Sequence, residues 1–210
     1  MRPFATAGGA LFQTPETRLQ PSHLRANLWA MEAQERSLPA HEGTAEALRV
    51  LMPSPIGPLG IELLDTVVTR LWIAPAEPVL STLVPLRKLE DSDVLDEVFG
   101  HLSEYFAGAR RKLELEYDLG PSGLNPIARR VLKEVCRIPY GKTRSFTEIA
   151  GAAGRAADGH VLGVLQENPI PILIPCHRVL TDGAGLGSYV GGTDRKRWLL
   201  DLESQATELI

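Results

Sequence analysis

The sequence predicts an α+β chain: a small N-terminal domain with a short antiparallel sheet and a helix, then a helical C-terminal domain built on a helix-turn-helix. Three observations carry this. Between Leu48 and Ala74, β-branched and apolar runs are broken by Pro and Gly pairs, as hairpin strands are. A helical period follows from Asp91, and a strictly alternating run, "KLELEYDL", comes after it. Beyond residue 121 the pattern is helical, with a capped pair of short helices.

Residues 1–45 carry Pro3, Pro15, Pro21 and Pro39 and no sustained period beyond a helix between Ser22 and Arg36, so they read as an extension, partly disordered. Residues 46–120 form the α/β domain. Its helix places Val94, Leu95, Val98, Phe99, Leu102 and Phe106 on one face, with Asp91 or Ser92 as N-cap and Gly108 as the stop. Lys112–Leu119 is expected to be a strand, and "GPSGLNP" marks the domain boundary. Residues 121–210 then open on "NPIARRVLKEVCRI", with Pro126 in the first turn and Ile127, Val131, Leu132 and Val135 inward. "SFTEIAGAAG" shows a capping box, Ser145 with Glu148, and "DGHVLGVLQENP" supplies the second helix, with Asp158 as cap and Pro169 as limit.

The composition, 44% apolar and 23% charged with no apolar stretch long enough to cross a bilayer, is that of a soluble globular protein. The N-terminus lacks the apolar core of a secretory signal, and with only two cysteines a reducing, cytoplasmic setting is expected, where a thiol can stay free. Charge is uneven. Residues 1–120 hold 11 Lys and Arg against 17 Asp and Glu, whereas residues 121–200 hold 11 against 6. A basic half can meet phosphates even though the whole chain is acidic.

Two cysteines, Cys136 and Cys176, are too few for a disulfide framework or a cysteine-rich zinc site. Cys136 falls on an apolar helix face and reads as core. Cys176 is different: in "NPIPILIPCHRV" it sits between Pro175 and the His177-Arg178 pair. A thiol becomes a nucleophile only as the thiolate, which needs a base or a cation nearby. Adjacent side chains usually diverge, so the imidazole would act through a water, and a carboxylate must orient it. Residue types alone do not say which carboxylate.

"IPYGKTRSFTEIA", "NPIPILIPCHRV" and "GLGSYVGGTDRKRWLLDLE", in this order and spacing, resemble the C-terminal domain of the O6-alkylguanine-DNA alkyltransferases, the methylated-DNA–protein-cysteine methyltransferases. "SPIGPLGIELLDTVVTRLWI" and "LSEYFAG" are similar to that family's variable N-terminal domain. The resemblance implies a C-terminal domain of winged-helix type and a single-turnover repair protein, a monomer. It implies transfer of an alkyl group from O6-alkylguanine in double-stranded DNA to Cys176, with no cofactor and no metal. By position, His177 is the water-linked base, Glu203 its orienting carboxylate, and Asn168 the brace of the active-site turn. Tyr189, Val190, Arg178 and Lys196 fall among the DNA- and guanine-facing positions.

Two positions depart from the family pattern. The arginine that fills the gap left by the extruded base is matched by Gly159, or by His160 with one residue of slip, and the family's tyrosine in the preceding helix is matched by Phe146. Both changes bear on base flipping rather than on alkyl transfer. Two rival readings follow: a lesion-binding sensor on the same fold, and a cysteine hydrolase. The retained Cys176, His177, Asn168 and Glu203 disfavour the first. The adjacency of thiol and histidine disfavours the second.

Overall fold

A computed structural model describes residues 47–85, 93–154, 157, 159–183 and 185–208, all within one unit spanning 38–210. The expected helix at 22–36 and the caps Asp91, Ser92 and Asp158 lie outside the described residues.

The Pro- and Gly-broken runs form three strands, β1 (Leu48–Met52), β2 (Leu59–Leu64) and β3 (Val67–Ile73), paired antiparallel as the pattern requires. A two-residue turn joins β2 to β3, with Asp65 at φ 54°, a conformation Asp tolerates better than most residues. A fourth short strand, β4 (Val84–Pro85), adds to β1 in parallel, so the sheet has the order β3-β2-β1-β4 and is mixed, not purely antiparallel. Helix α1 (Asp93–Phe106) buries Leu95, Val98, Phe99, Leu102 and Phe106 as expected, and Tyr105 beside them. Gly108, at φ 71°, takes the left-handed conformation that ends it.

Lys112–Leu119 corrects the expectation of a strand. Its alternation is real, with Leu113, Leu115 and Tyr117 half-buried and Lys112, Glu114 and Glu116 exposed. Only one bridge forms, between Tyr117 and Val68. Period two reports which side chains face inward, and a ladder also needs a partner edge in register.

Helix α2 (Pro126–Cys136) starts at Asn125, whose Oδ1 accepts the Ala128 N–H at 2.8 Å. Strand β5 (Arg144–Ser145) leads into α3 (Phe146–Ala153), where the Ser145–Glu148 capping box forms in both directions. Helix α4 (Val161–Gln166) is capped at His160, with no side-chain bond to its first turn, and ends before Pro169. Strand β6 (Val179–Leu180) pairs in parallel with β5, and α5 (Thr193–Glu208) closes the chain.

One apolar core runs through both halves, from Val50, Ile61 and Val68 through Leu102 to Val131, Ile149 and Leu199. Two polar ties reinforce it. The Leu71 N–H donates to the Pro169 carbonyl at 2.9 Å, and Arg195 donates to the carbonyls of Ile56 and Gly191. Among the described residues no helix is long and apolar enough to cross a membrane.

Candidate active site

The segment after α4 makes a tight turn over Pro171–Ile174 that puts Ile172, a β-branched residue, at φ 77°. Such a conformation costs about 1–3 kcal/mol and persists only where the surroundings enforce it. Asn168 does so. Its Oδ1 accepts the Ile170 N–H at 3.1 Å and its Nδ2 donates to the Ile174 carbonyl at 3.0 Å. Pro175, at φ −79° and ψ 61°, then centres an inverse γ-turn closed by Cys176 N–H to the Ile174 carbonyl. A single 3-10 turn, Cys176–Arg178, follows. This geometry delivers the Cys176 thiol to the same Asn168 Nδ2, at 3.0 Å from Sγ.

Cys176 is buried, and burial pushes its thiol up to about 11, against a downward pull from the Asn168 hydrogen bond and the nearby Lys196 ammonium. The resting group is therefore a thiol at neutral pH, and reaction requires a base. His177, fully buried, has Nε2 at 2.9 Å from Glu203 Oε1. A carboxylate only accepts, so the imidazole proton sits on Nε2 and the Nδ1 lone pair is the basic face. Among the described residues Nδ1 has no hydrogen-bond partner. Burial holds the imidazole below its ordinary value, with the Glu203 bond working the other way.

Glu203 is the most heavily bonded group here. Oε1 accepts from His177, from Tyr105 Oη at 2.7 Å and from Arg178 Nη2 at 2.8 Å. Oε2 accepts from Arg178 Nε at 2.9 Å and from the Gly141 N–H at 3.0 Å. Burial would raise this carboxyl, but the bonds from His177 and Arg178 overcome it and hold it well below the usual carboxylate range. A charged carboxylate behind a neutral imidazole, beside a buried thiol, can accept and stabilise a proton drawn from sulfur.

The chain matches a family model described as the 6-O-methylguanine DNA methyltransferase DNA binding domain over residues 126–205. It is 37% identical over 153 residues to the methylated-DNA–protein-cysteine methyltransferase of Mycobacterium tuberculosis, a match covering 71% of this chain and 88% of that protein. The chain belongs to the methylated-DNA–protein-cysteine methyltransferase family. A crystal structure of the M. tuberculosis O6-methylguanine methyltransferase superposes with a TM-score of 0.65 at 35% identity, covering 76% of this chain and 94% of that one. One of the same organism's protein in complex with DNA gives 0.64 at 34% identity, covering 75% and 93%.

The structure of this methyltransferase-family chain holds Asn168 to Cys176 and His177 to Glu203 as two hydrogen-bonded pairs, with Cys176 and His177 on one turn. Tyr189 joins them, buried, with its ring edge-on to His177 at 6.2 Å, and the next residue, Val190, is exposed. Val190 and Asn168 line a cleft of ≈ 420 Å³ that also takes in Arg70, Trp72, Gln166 and Glu167.

Two of the residues expected to face DNA lie inside the fold. Arg178 is buried, and its guanidinium is committed to Glu203 and to the Ile138 carbonyl at 2.8 Å. Lys196 is 1% exposed and donates to the Val179 carbonyl, so its cation is an internal neighbour of the thiol. Both follow from helix α5 packing over the Cys176–Arg178 turn, which seals that face from solvent. Phe146 is half-buried at the start of α3, Gly159 lies at φ 76° with open space around it, and His160 is exposed. Sequence reasoning missed Tyr105 and the Gly141 N–H as partners of Glu203. The "LSEYFAG" similarity was the available signal for the first, and nothing local marked the second.

Proposed function

We propose that the chain repairs double-stranded DNA by moving an alkyl group from the O6 of guanine onto Cys176, irreversibly and once per molecule. The observation that carries this reading is the pairing of a buried thiol held by Asn168 with a neutral imidazole backed by an ionised Glu203. His177 Nδ1 takes the thiol proton through a bridging water. The sulfur then attacks the alkyl carbon, the C–S bond forms as the C–O6 bond breaks, and the electron pair leaves with the guanine, which picks up a proton. The thioether product resists water, so the protein is spent.

Residues 46–120 act as the N-terminal domain and 121–210 as the DNA-binding and acceptor domain of winged-helix type, with α3 and α4 as its helix-turn-helix. Tyr189 and Val190 border the extruded base. At the position of the family's arginine, His160 fits better than Gly159, because the left-handed backbone at Gly159 disfavours any side chain. The protein acts as a monomer in the cytoplasm, on the nucleoid in a bacterial cell.

Intact mass spectrometry after incubation with a duplex carrying one O6-methylguanine tests this. Wild type should gain one methyl group and Cys176→Ser none. Lesion-selective binding without any gain in mass would support the sensor reading instead.

A further inference from the structure

We propose that Tyr105 is a positioning residue for the His177–Glu203 pair, through which helix α1 sets how strongly the carboxylate draws on the imidazole proton. The inference rests on the alkyl-transfer reading above and adds to it a contribution from the N-terminal half of the chain. Tyr105 is 1% exposed, and its ring packs edge-on against Phe106 at 5.5 Å and Tyr140 at 6.1 Å. A phenylalanine would make the same contacts and bury no hydroxyl. Burying an O–H carries a desolvation cost unless it is well bonded, and this one is spent on Glu203 Oε1 at 2.7 Å, across 98 residues of chain. Burial and the neighbouring Glu203 charge both raise the phenol, so it keeps its proton and acts as donor.

Oε1 is oversubscribed. It faces Tyr105, His177 and Arg178, and an ionised carboxylate oxygen offers about two lone-pair sites. Tyr105 Oη also lies 3.5 Å from His177 Nε2, so phenol and imidazole converge on one acceptor from adjacent directions. Two donors on one oxygen compete for its lone pairs, so the bond to the phenol weakens the one to the imidazole. The other charged or titratable groups around the pair are Arg178 on its own turn, Cys176 beside it, Lys196 from α5, Tyr189 from the preceding loop and Tyr140 from the turn after α2. Removing the Tyr105 hydroxyl leaves the Arg178 and Gly141 N–H bonds to Glu203, which keep the carboxylate in place.

The direction of the effect follows. Without the hydroxyl, Oε1 binds the Nε2 proton more strongly, the imidazolium is better stabilised, and His177 becomes more basic. Transfer falls off at low pH as His177 protonates, so Tyr105→Phe should move that acid limb to higher pH by about half a pH unit or more. Site-specific 3-fluorotyrosine at position 105, a stronger donor of nearly the same shape, should move it to lower pH. The assay is the pH profile of benzyl transfer from free O6-benzylguanine, which bypasses DNA binding and base flipping. In parallel, the His177 Nε2 proton resonance should shift downfield in Tyr105→Phe and upfield in the fluorotyrosine protein.

Opposite displacements of the limb, or of the resonance, support the proposal. A limb and a resonance that stay where wild type has them in both proteins overturn it, even if stability drops. Should Tyr105→Phe fail to fold, the fluorotyrosine protein decides the question alone. If wild type also gains no methyl group from the O6-methylguanine duplex, the alkyl-transfer reading fails, while the resonance still tests the coupling of Tyr105 to His177.

Discussion

Replacing Asn168 with alanine should damage the fold and the chemistry by separable amounts. The side chain makes three bonds, and their losses differ. The Ile170 N–H is buried and has Asn168 Oδ1 as its partner, so it is left unsatisfied at a cost of about 1–3 kcal/mol. The Ile174 carbonyl keeps the Cys176 N–H, so losing Nδ2 forfeits only a net bond of about 1 kcal/mol. Together these give about 2–4 kcal/mol, a large part of a typical 5–15 kcal/mol stability, yet one that leaves the variant folded in buffer. The same loss removes the strongest downward pull on a thiol already pushed up to about 11, so the thiol rises further. Each unit of rise is about a tenfold loss of thiolate. Equilibrium urea unfolding measures the first quantity, and benzyl transfer from free O6-benzylguanine, without denaturant, measures the second. A destabilisation under about 1 kcal/mol with transfer within about twofold of wild type would refute the assignment of Asn168 as the brace of this turn.

Three further outcomes are expected. Because the folded thiol titrates near 11 and an unfolded one near 9, the Cys176 contribution is intact below pH 9 and is lost as pH rises to 11. Cys176→Ala should therefore flatten the alkaline fall in stability by about 2–3 kcal/mol, read from urea melts across that range. His160→Arg, restoring a long cation at the exposed start of α4, should speed transfer from duplex DNA several-fold and leave transfer from the free base unchanged; equal effects on both substrates would remove His160 from the flipping step. A Cβ at Gly191 would lie 2.9 Å from the Tyr189 ring and 3.1 Å from Ile73, so Gly191→Ala should cost about 1–3 kcal/mol in thermal or urea melts and displace Tyr189 from His177.

Much of the architecture was readable locally. Caps and turns are decided by residues within four positions of one another, so Pro126 in the first turn of α2, the Ser145–Glu148 box and the stop at Gly108 could be placed from the chain alone. So could the turn that presents the Cys176 thiol, since Pro175, Cys176 and His177 are adjacent and the turn is built from nearest neighbours. The identity of the carboxylate was not local. Glu203 was reached only by resemblance, because 26 residues separate it from His177 and helical periodicity says nothing about which turn of α5 meets which loop.

The misses share a cause. Lys112–Leu119 alternates as a strand does, yet whether a ladder forms depends on an edge lying elsewhere in the chain. Arg178 and Lys196 fell among the DNA-facing positions by resemblance, and the structure buries both, because acceptors from distant segments, Glu203, Ile138 and Val179, make burial tolerable. Tyr105 followed the apolar stripe of α1, and only the meeting of α1 with α5 gave its hydroxyl a partner. The sequence by itself determined the hairpin strands, most of the helices and several of their caps, because those depend on short-range sterics and hydrogen bonding. Tertiary structure alone decided which buried polar groups satisfy one another, because that balance of desolvation against pairing exists only once distant segments have closed around a common centre.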